Sequence, residues 1–517
     1  MEHLLAIDNG TQSVRALLFD AAGNLLHGHR VPFTPYVSPQ PGWAEQDPDV
    51  FWNAVGQACR ALWHAGADPR AVRAVAVTTQ RGTVVNLDAR GQALRPAIVW
   101  LDQRRTENVA PVRGPFGAAA RLIGLGGMLR YLQAETEANW ISRHEPRVWA
   151  ATRHYVLLSG FLNYRLTGEV RDSSGSQVGF LPFDYRRHAW ARPGSWHWQL
   201  APFDASALPD LVPPGGQIGA VTRAASEHTG VPVGTPVIAA AADKACEVLG
   251  SGATGPSVGC LSYGTTATYT VTQGTYREPR AFIPPYPSAM PGAFNLEVQL
   301  YRGYWMVSWF KQEFGQSEQR LAAQRGVEAE DLFDDLLASV PPGSMGLTLQ
   351  PYWTPGLKEP GPEAKGAIIG FGDVHTRAHL YRAIIEGLAY GLRAGKEHVE
   401  RRTRVPVQDL RVAGGGSRSD AVMQITADVF GIPVARPHVT EASGLGAAIS
   451  AAVGTGLHGS YEDAVRAMTR RGRVFEPNAA AARVYDDLYS GVYRRMYGRL
   501  RPLYARIRAI TNYPPRP

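Results

Sequence analysis

The chain has 517 residues, enough for two or three domains at about 100 to 200 residues each. With 44% hydrophobic and 19% charged residues it carries apolar surface enough to offset ordering entropy, which excludes an intrinsically disordered protein. The net charge of +8 arises from 48 arginines and 5 lysines against 45 acidic residues, a skew spread along the chain that reads as the coding bias of a GC-rich genome and not as a nucleic-acid footprint.

Three cysteines, Cys59, Cys246 and Cys260, cannot pair completely and show no CxxC spacing. Neither a disulfide framework nor a cysteine zinc site is expected, and a reducing, cytoplasmic setting is. Asp8 interrupts the N-terminus before a signal-peptide core forms, and no run of about 18 apolar residues follows, so neither secretion nor membrane spanning is expected.

The chain opens on a strand over Leu4–Ile7, a polar turn Asp8-Asn9-Gly10-Thr11-Gln12 and a second strand over Val14–Phe19, together a β-hairpin. A helix is expected over Asp49–Ala65, and strands over Val72–Thr79 and Ala97–Trp100. This alternation of helical and β-branched segments argues for an α/β fold. Gly124-Leu125-Gly126-Gly127 follows a helix-like stretch, so it is not read as a dinucleotide fingerprint.

Further along, an apolar strand within Pro232–Ala242 runs to Asp243. Strands over Ser257–Ser262 and Ala267–Val271 then flank Gly264-Thr265-Thr266, repeating the opening strand, turn, strand unit about 250 residues later. The repeat predicts two related domains, 1–248 and 249–517. Glu278 to Pro362 is rich in Pro, Gly and aromatics and reads as loops and peripheral structure.

Regular character returns with a long helix over Thr376–Arg401, a strand over Leu410–Ala413, the turn Gly414-Gly415-Gly416-Ser417 and a helix of about twelve residues. Near the end Tyr485, Tyr489, Tyr493 and Tyr497 recur every four residues among Leu488, Val492, Met496 and Leu500. They predict a helix with an apolar face, backed by Arg494, Arg495, Arg499, Arg501, Arg506 and Arg508 in solvent. Periodicity alone leaves open whether that face packs within the chain or against a second subunit in a homo-oligomer.

The chemistry concentrates at the turns. Asp8 ends a buried-looking strand, and the N–H groups and hydroxyl of Asn9, Gly10 and Thr11 suit a phosphate while the carboxylate suits a hydrated Mg²⁺ ion. The alternative is an ordinary hairpin with an Asx turn. Gly264-Thr265-Thr266 repeats this chemistry without the acid, so the pair suggests two jaws around one phosphate chain. At Gly414 to Gly416 small residues before a helix allow backbone to approach an anionic ligand, although such turns are also routine α/β connectors.

No G-x-x-x-x-G-K-[ST] or HExxH is present, which excludes a P-loop and a zincin. Asp243, between an apolar strand and Lys244, is placed to take the proton from a hydroxyl attacking phosphorus, or else to cap the next helix.

Taken in order, Asp8-Asn9-Gly10-Thr11 with Arg15, Trp43-Ala44-Glu45-Gln46, Ala97 to Arg104, Leu166-Thr167-Gly168, Asp243, Tyr263-Gly264-Thr265-Thr266, Glu386-Gly387-Leu388-Ala389 and Gly414 to Ser417 resemble the FGGY carbohydrate kinases from about residue 3 to 455. The resemblance implies two actin-like, ribonuclease H-like domains with ATP and a sugar or polyol in the cleft between them. It implies that Asp8 acts on Mg²⁺ through water, that Thr11, Gly264 and Thr265 meet phosphates, and that Gly414, Gly415 and Ser417 meet the nucleotide. Asp243 becomes the general base, and Gln80, Arg81 and Trp100 line the acceptor pocket with it. The implied reaction is transfer of the γ-phosphoryl group of ATP to a primary hydroxyl, with no nucleic-acid or membrane partner.

Where glycerol kinases carry Gln-Arg-Glu-Thr this chain has Gln80-Arg81-Gly82-Thr83, which disfavours glycerol, and the Met-His pair of xylulokinases is absent. Gly82 leaves room for a longer polyol or ketose, with Gln133, Glu135, Asp172 and Ser173 as candidate replacement contacts. Ser419 stands where the family often places Asn, so adenine contacts are expected to differ. The rival reading is an actin-like ATPase switch or chaperone, which shares both phosphate turns but does not explain Arg81 and Trp100.

Overall fold

The computed structural model describes residues 2–280, 283–354, 356 and 360–513. Its frame is two sheets. The first has the spatial order 217–220, 236–239, 72–79, 3–9, 13–19, 25–32. His3–Asn9 pairs antiparallel with Ser13–Phe19 and parallel with Val72–Thr79, which pairs parallel with Pro236–Ala239. These inner strands are covered on both faces, and their near-continuous apolar runs follow from that. Pro48–His64 and Leu158–Thr167 cover one face, and Asp243–Gly250 and Ala442–Gly454 the other.

The second sheet has the order 286–287, 294–300, 267–273, 258–263, 409–413, 434–437, 471–475, with the long helix Arg377–Thr403 packed against it. The two halves meet where Ala442–Gly454, from the second half, crosses Asp243–Gly250. The crossing is so close that a Cβ at Gly250 or Gly446 would collide with the backbone of the other helix.

Most expected elements are present within a residue or two, with three differences. Ala97–Trp100 is a strand only at Ala97–Ile98, and Trp100 lies in a turn. The stretch read as peripheral, of which 281, 282, 355 and 357–359 lie outside the described residues, contains the sheet strand Phe294–Leu300 and the helices Trp305–Phe314, Gln316–Arg325 and Phe333–Ala338. Punctuation by Pro and Gly around these short elements hid their apolar alternation.

The tyrosine stripe is a helix Ala479–Leu488, a π turn Tyr489–Tyr493 and a helix Arg494–Thr511. A repeat of four would carry side chains off one face of a helix with 3.6 residues per turn, and one wider turn resets them. All four tyrosines are buried; Tyr485, Tyr489 and Tyr493 face the core of the second sheet, and Tyr497 a small adjoining cluster, so this face packs within the chain. Among the described residues no helix is long and apolar enough to cross a membrane.

Candidate active site

In the first sheet three adjacent parallel strands end at the same edge. Asp8 and Asn9 close His3–Asn9, Gln80 and Arg81 follow Val72–Thr79, and Asp243 follows Pro236–Ala239 as the first residue of its helix. Ligands in α/β sheets bind beyond such carboxyl ends. The second sheet has the same arrangement. Val258–Tyr263 and Asp409–Ala413 run parallel with Ser262 opposite Ala413, which brings Gly264-Thr265 and Gly414-Gly415 together. Gly414 has φ +86°, and a Cβ there would lie 2.7 Å from the Tyr263 carbonyl oxygen. Only glycine allows this approach without strain.

Side chains join the two edges. Arg81 forks onto Glu297 of the second sheet, with Nη2–Oε1 2.9 Å and Nη1–Oε2 3.3 Å, and its guanidinium lies 4.9 Å from the centre of the Tyr286 ring. Lys244 Nζ donates to Glu247 Oε2 at 3.1 Å and to Ser262 Oγ, beside the Gly264 turn. Within the first edge itself, Trp100 Nε1 donates to Thr11 Oγ1 at 3.0 Å.

The Trp100 turn is itself anchored. Asp102 accepts from the Ala44 N–H at 2.6 Å and from Arg104. Arg104 also pairs with Glu45 and lies over the rings of Trp43 and Trp140. The Trp43 to Gln46 motif thus holds the Trp100 turn from behind.

Asp8 is buried, and Arg15 bonds one of its oxygens at 3.1 Å while reaching Glu441 at 3.4 Å. Burial, aided by Asp243 and Glu441 and opposed by Arg15, pushes its carboxyl up to about 6. Asp243 is also raised by burial, with Lys244 and Arg81 opposing. Its Oδ1 accepts from the Lys244 N–H at 2.7 Å, so it serves the helix start as well as the cleft.

Two amides beside these acids, Asn9 and Gln80, are 0% and 4% exposed, and none of their side-chain N and O atoms has a hydrogen-bond partner. Orphaned amides of this kind cost about 1–3 kcal/mol each until a polar ligand or water satisfies them. A cation fits the same corner, because it would relieve the repulsion among Asp8, Asp243 and Glu441. Among the described residues no group of three or more His, Cys, Asp or Glu is arranged to hold a metal. Asp8 is the carboxylate that would serve such a cation, and a single carboxylate would suit an ion that keeps most of its waters, as Mg²⁺ does.

The expected residues gather as two clusters: Asp8, Thr11, Gln80, Arg81, Trp100 and Asp243 at the first edge, and Gly264, Thr265, Gly414, Gly415 and Ser417 at the second. The Ser417 hydroxyl donates to the Gly414 carbonyl at 2.7 Å, so its proton closes the loop. Gln133, Asp172 and Ser173 are committed to the scaffold: Gln133 to the Ala110 and Gln199 carbonyls, Asp172 to Ser159, Asn163 and Gln177, and Ser173 to the Ala240 carbonyl. Glu135 pairs with Arg105.

Several residues around the site, Glu297, Lys244, Tyr286 and Glu441 among them, carried no expectation. Glu297 occupies the polar phase of the alternating Phe294–Leu300 segment, a signal visible once that segment is read as a strand. Lys244 is one of five lysines in an arginine-rich chain.

Residues 3–250 match the N-terminal domain of the FGGY family of carbohydrate kinases, and residues 259–455 match the C-terminal domain of the same family. The chain is 28% identical over 501 residues to the uncharacterized sugar kinase YgcE of Escherichia coli (strain K12), covering 95% of this chain and 93% of that protein. It is 31% identical over 510 residues to a glycerol kinase of Paracidovorax citrulli (strain AAC00-1), covering 94% and 97%. A crystal structure of xylulose kinase from Rhodospirillum rubrum superposes with a TM-score of 0.76 at 29% identity, covering 98% of this chain and all of that one.

Proposed function

The chain belongs to the FGGY family of carbohydrate kinases, phosphotransferases that act on an alcohol group, and from that premise we propose that it transfers the γ-phosphoryl group of ATP to a primary hydroxyl of a sugar or polyol. The two domains, 1–248 and 249–517, close on the substrates, and the enzyme works in the cytoplasm. The observation that carries this reading is the meeting of the two strand edges: Asp8, Arg81 and Asp243 on one, the Gly264-Thr265 and Gly414-Gly415 turns on the other, joined through Lys244 and Arg81.

In this reading Asp243 accepts the hydroxyl proton as the new O–P bond forms and the bond from the γ-phosphorus to the bridging oxygen breaks, leaving ADP. Lys244 and Arg81, the cations facing Asp243, favour the ionised carboxylate that this step needs, against the pull of burial. Thr11, Gly264 and Thr265 donate to phosphates, Gly414 and Gly415 offer backbone to the nucleotide, and Ser417 holds their loop. Asp8 is the residue that would hold Mg²⁺ through water; the ion supplies neutralisation of phosphate charge. Closure excludes water that would otherwise hydrolyse ATP.

Gly82 supports an acceptor larger than glycerol. A Cβ there would lie 3.6 Å from Trp100 Cβ, an ordinary contact distance, so the wall beside Arg81 simply carries no side chain at this position. The test is ADP release from Mg²⁺-ATP across glycerol, four- to six-carbon polyols, aldoses, ketoses and sugar acids. Strong stimulation by one longer acceptor agrees with the reading; equal turnover of glycerol and the longer acceptors would remove the size argument. Steady hydrolysis indifferent to every acceptor would point instead to the actin-like ATPase switch.

A further inference from the structure

The strand Phe294–Leu300 alternates in the ordinary way. Leu296, Val298 and Leu300 join the core of the second domain, which turns Asn295, Glu297 and Gln299 to the opposite face. A glutamate on that phase belongs in water, yet the Glu297 side chain is 3% exposed, with Arg81 of the first domain bonded to both of its oxygens. Asn295 is accounted for within the sheet, where its Oδ1 accepts from Thr272 at 2.8 Å. Among the described residues, the side-chain hydrogen bonds that Glu297 accepts come from Arg81, across the cleft.

The Arg81–Glu297 pair is a poor device for stability alone. Removing two charges from water costs about as much as their attraction returns, and an apolar pair of similar volume would hold the domains as well. Its position has a better explanation. Arg81 is the shared neighbour of Glu297 and Asp243: burial opposes its charge, and Glu297, Tyr286 and Asp243 outweigh that and keep it ionised. Gly82, next in the chain and without a side chain, lies against Trp100, whose Cβ would be 3.6 Å from a Cβ at that position. A carboxylate can accept about four hydrogen bonds, and Arg81 uses two of those on Glu297.

Resting on the kinase reading above, we propose that Glu297 is an acceptor-binding residue, presenting from the second domain a carboxylate that accepts hydrogen bonds from hydroxyls remote from the one phosphorylated at Asp243. The acceptor is then a polyhydroxy chain long enough to touch both domains. Its binding draws the second sheet toward the first, so the hydroxyls read by Glu297 also favour the closed cleft.

The test uses Glu297→Gln in the full chain, with the acceptor found by the ADP-release panel and its deoxy analogues at successive carbons. The acceptor KM rises about 10- to 100-fold, as for loss of hydrogen bonds to a charged group. The ATP KM stays within about twofold, and kcat at saturating acceptor stays within about threefold. One deoxy analogue, lacking the hydroxyl that Glu297 receives, suffers little further loss in the variant. If Glu297→Gln does not fold, Glu297→Asp, which keeps the charge and shortens the reach, is read in the same way.

An unchanged acceptor KM, or equal losses for the acceptor and every deoxy analogue, overturns the inference while leaving the kinase reading intact. A wild-type protein that no acceptor stimulates removes the kinase reading itself, and the role of Glu297 with it.

Discussion

The indole N–H of Trp100 donates to the Thr11 hydroxyl at 3.0 Å. Trp100 thus fixes the rotamer of Thr11, and in the proposed reading, where Trp100 lines the acceptor pocket and Thr11 meets a phosphate, the two substrates share a support. Trp100→Phe keeps the ring and loses the donor. About 1 kcal/mol for a neutral hydrogen bond corresponds to a fall of about fivefold in kcat/KM for ATP and acceptor alike, with the melting temperature little changed. Steady-state kinetics with each substrate varied in turn check this; unchanged kinetics for ATP would break the proposed link.

Gly414 combines φ +86° with a Cβ position 2.7 Å from the Tyr263 carbonyl oxygen. Gly414→Ala must strain the backbone and push apart the ends of two paired strands, each of which leads into a proposed nucleotide turn. The expected cost is about 1–3 kcal/mol of stability, together with a raised ATP KM and a nearly unchanged acceptor KM. Thermal melts and KM values measure both, and an ATP KM equal to wild type would separate this loop from the nucleotide.

Asp172 offers a pH test away from the cleft chemistry. Burial pushes its carboxyl up to about 6, despite donors on Ser159, Gln177, Ser173 and Asn163. The folded protein keeps this proton until about pH 6, whereas the unfolded chain gives it up near pH 4. Between those values the folded state binds more protons, so stability falls as pH rises and levels off above about 6. Two pKa units correspond to about 3 kcal/mol. Relative to Asp172→Asn, which cannot titrate, the wild type should therefore lose about that much between pH 4 and 7. Parallel stability profiles for the two proteins would contradict the assignment.

Much of this site was legible because its residues sit at sharp transitions in the sequence. Asp8 lies near the end of one apolar strand and Asp243 follows another, and Gly264 and Gly414 each follow one, so a near-continuous apolar run stopping at a polar or glycine residue marked them. Glu297 and Lys244 were not legible in the same way. Glu297 lies in a seven-residue strand flanked by Pro and Gly, and its partner Arg81 stands more than 200 positions earlier, a pairing that no local pattern encodes.

The candidate replacement contacts Gln133, Asp172 and Ser173 were plausible by residue type. Their partners come from distant loops and carbonyls, which only the folded chain brings near. The tyrosine repeat announced a buried face, but the π turn that keeps a repeat of four on that face is a response to packing and leaves no separate mark in the sequence.

The most direct test of the account is the turnover number of Asp243→Asn with Mg²⁺-ATP and the acceptor that stimulates the wild type. With the base removed and the side-chain shape kept, kcat should fall by about 10² to 10⁴, while the melting temperature and ATP affinity stay near wild type. A folded Asp243→Asn protein that turns over at the wild-type rate would contradict the central claim, that Asp243 takes the proton from the acceptor hydroxyl.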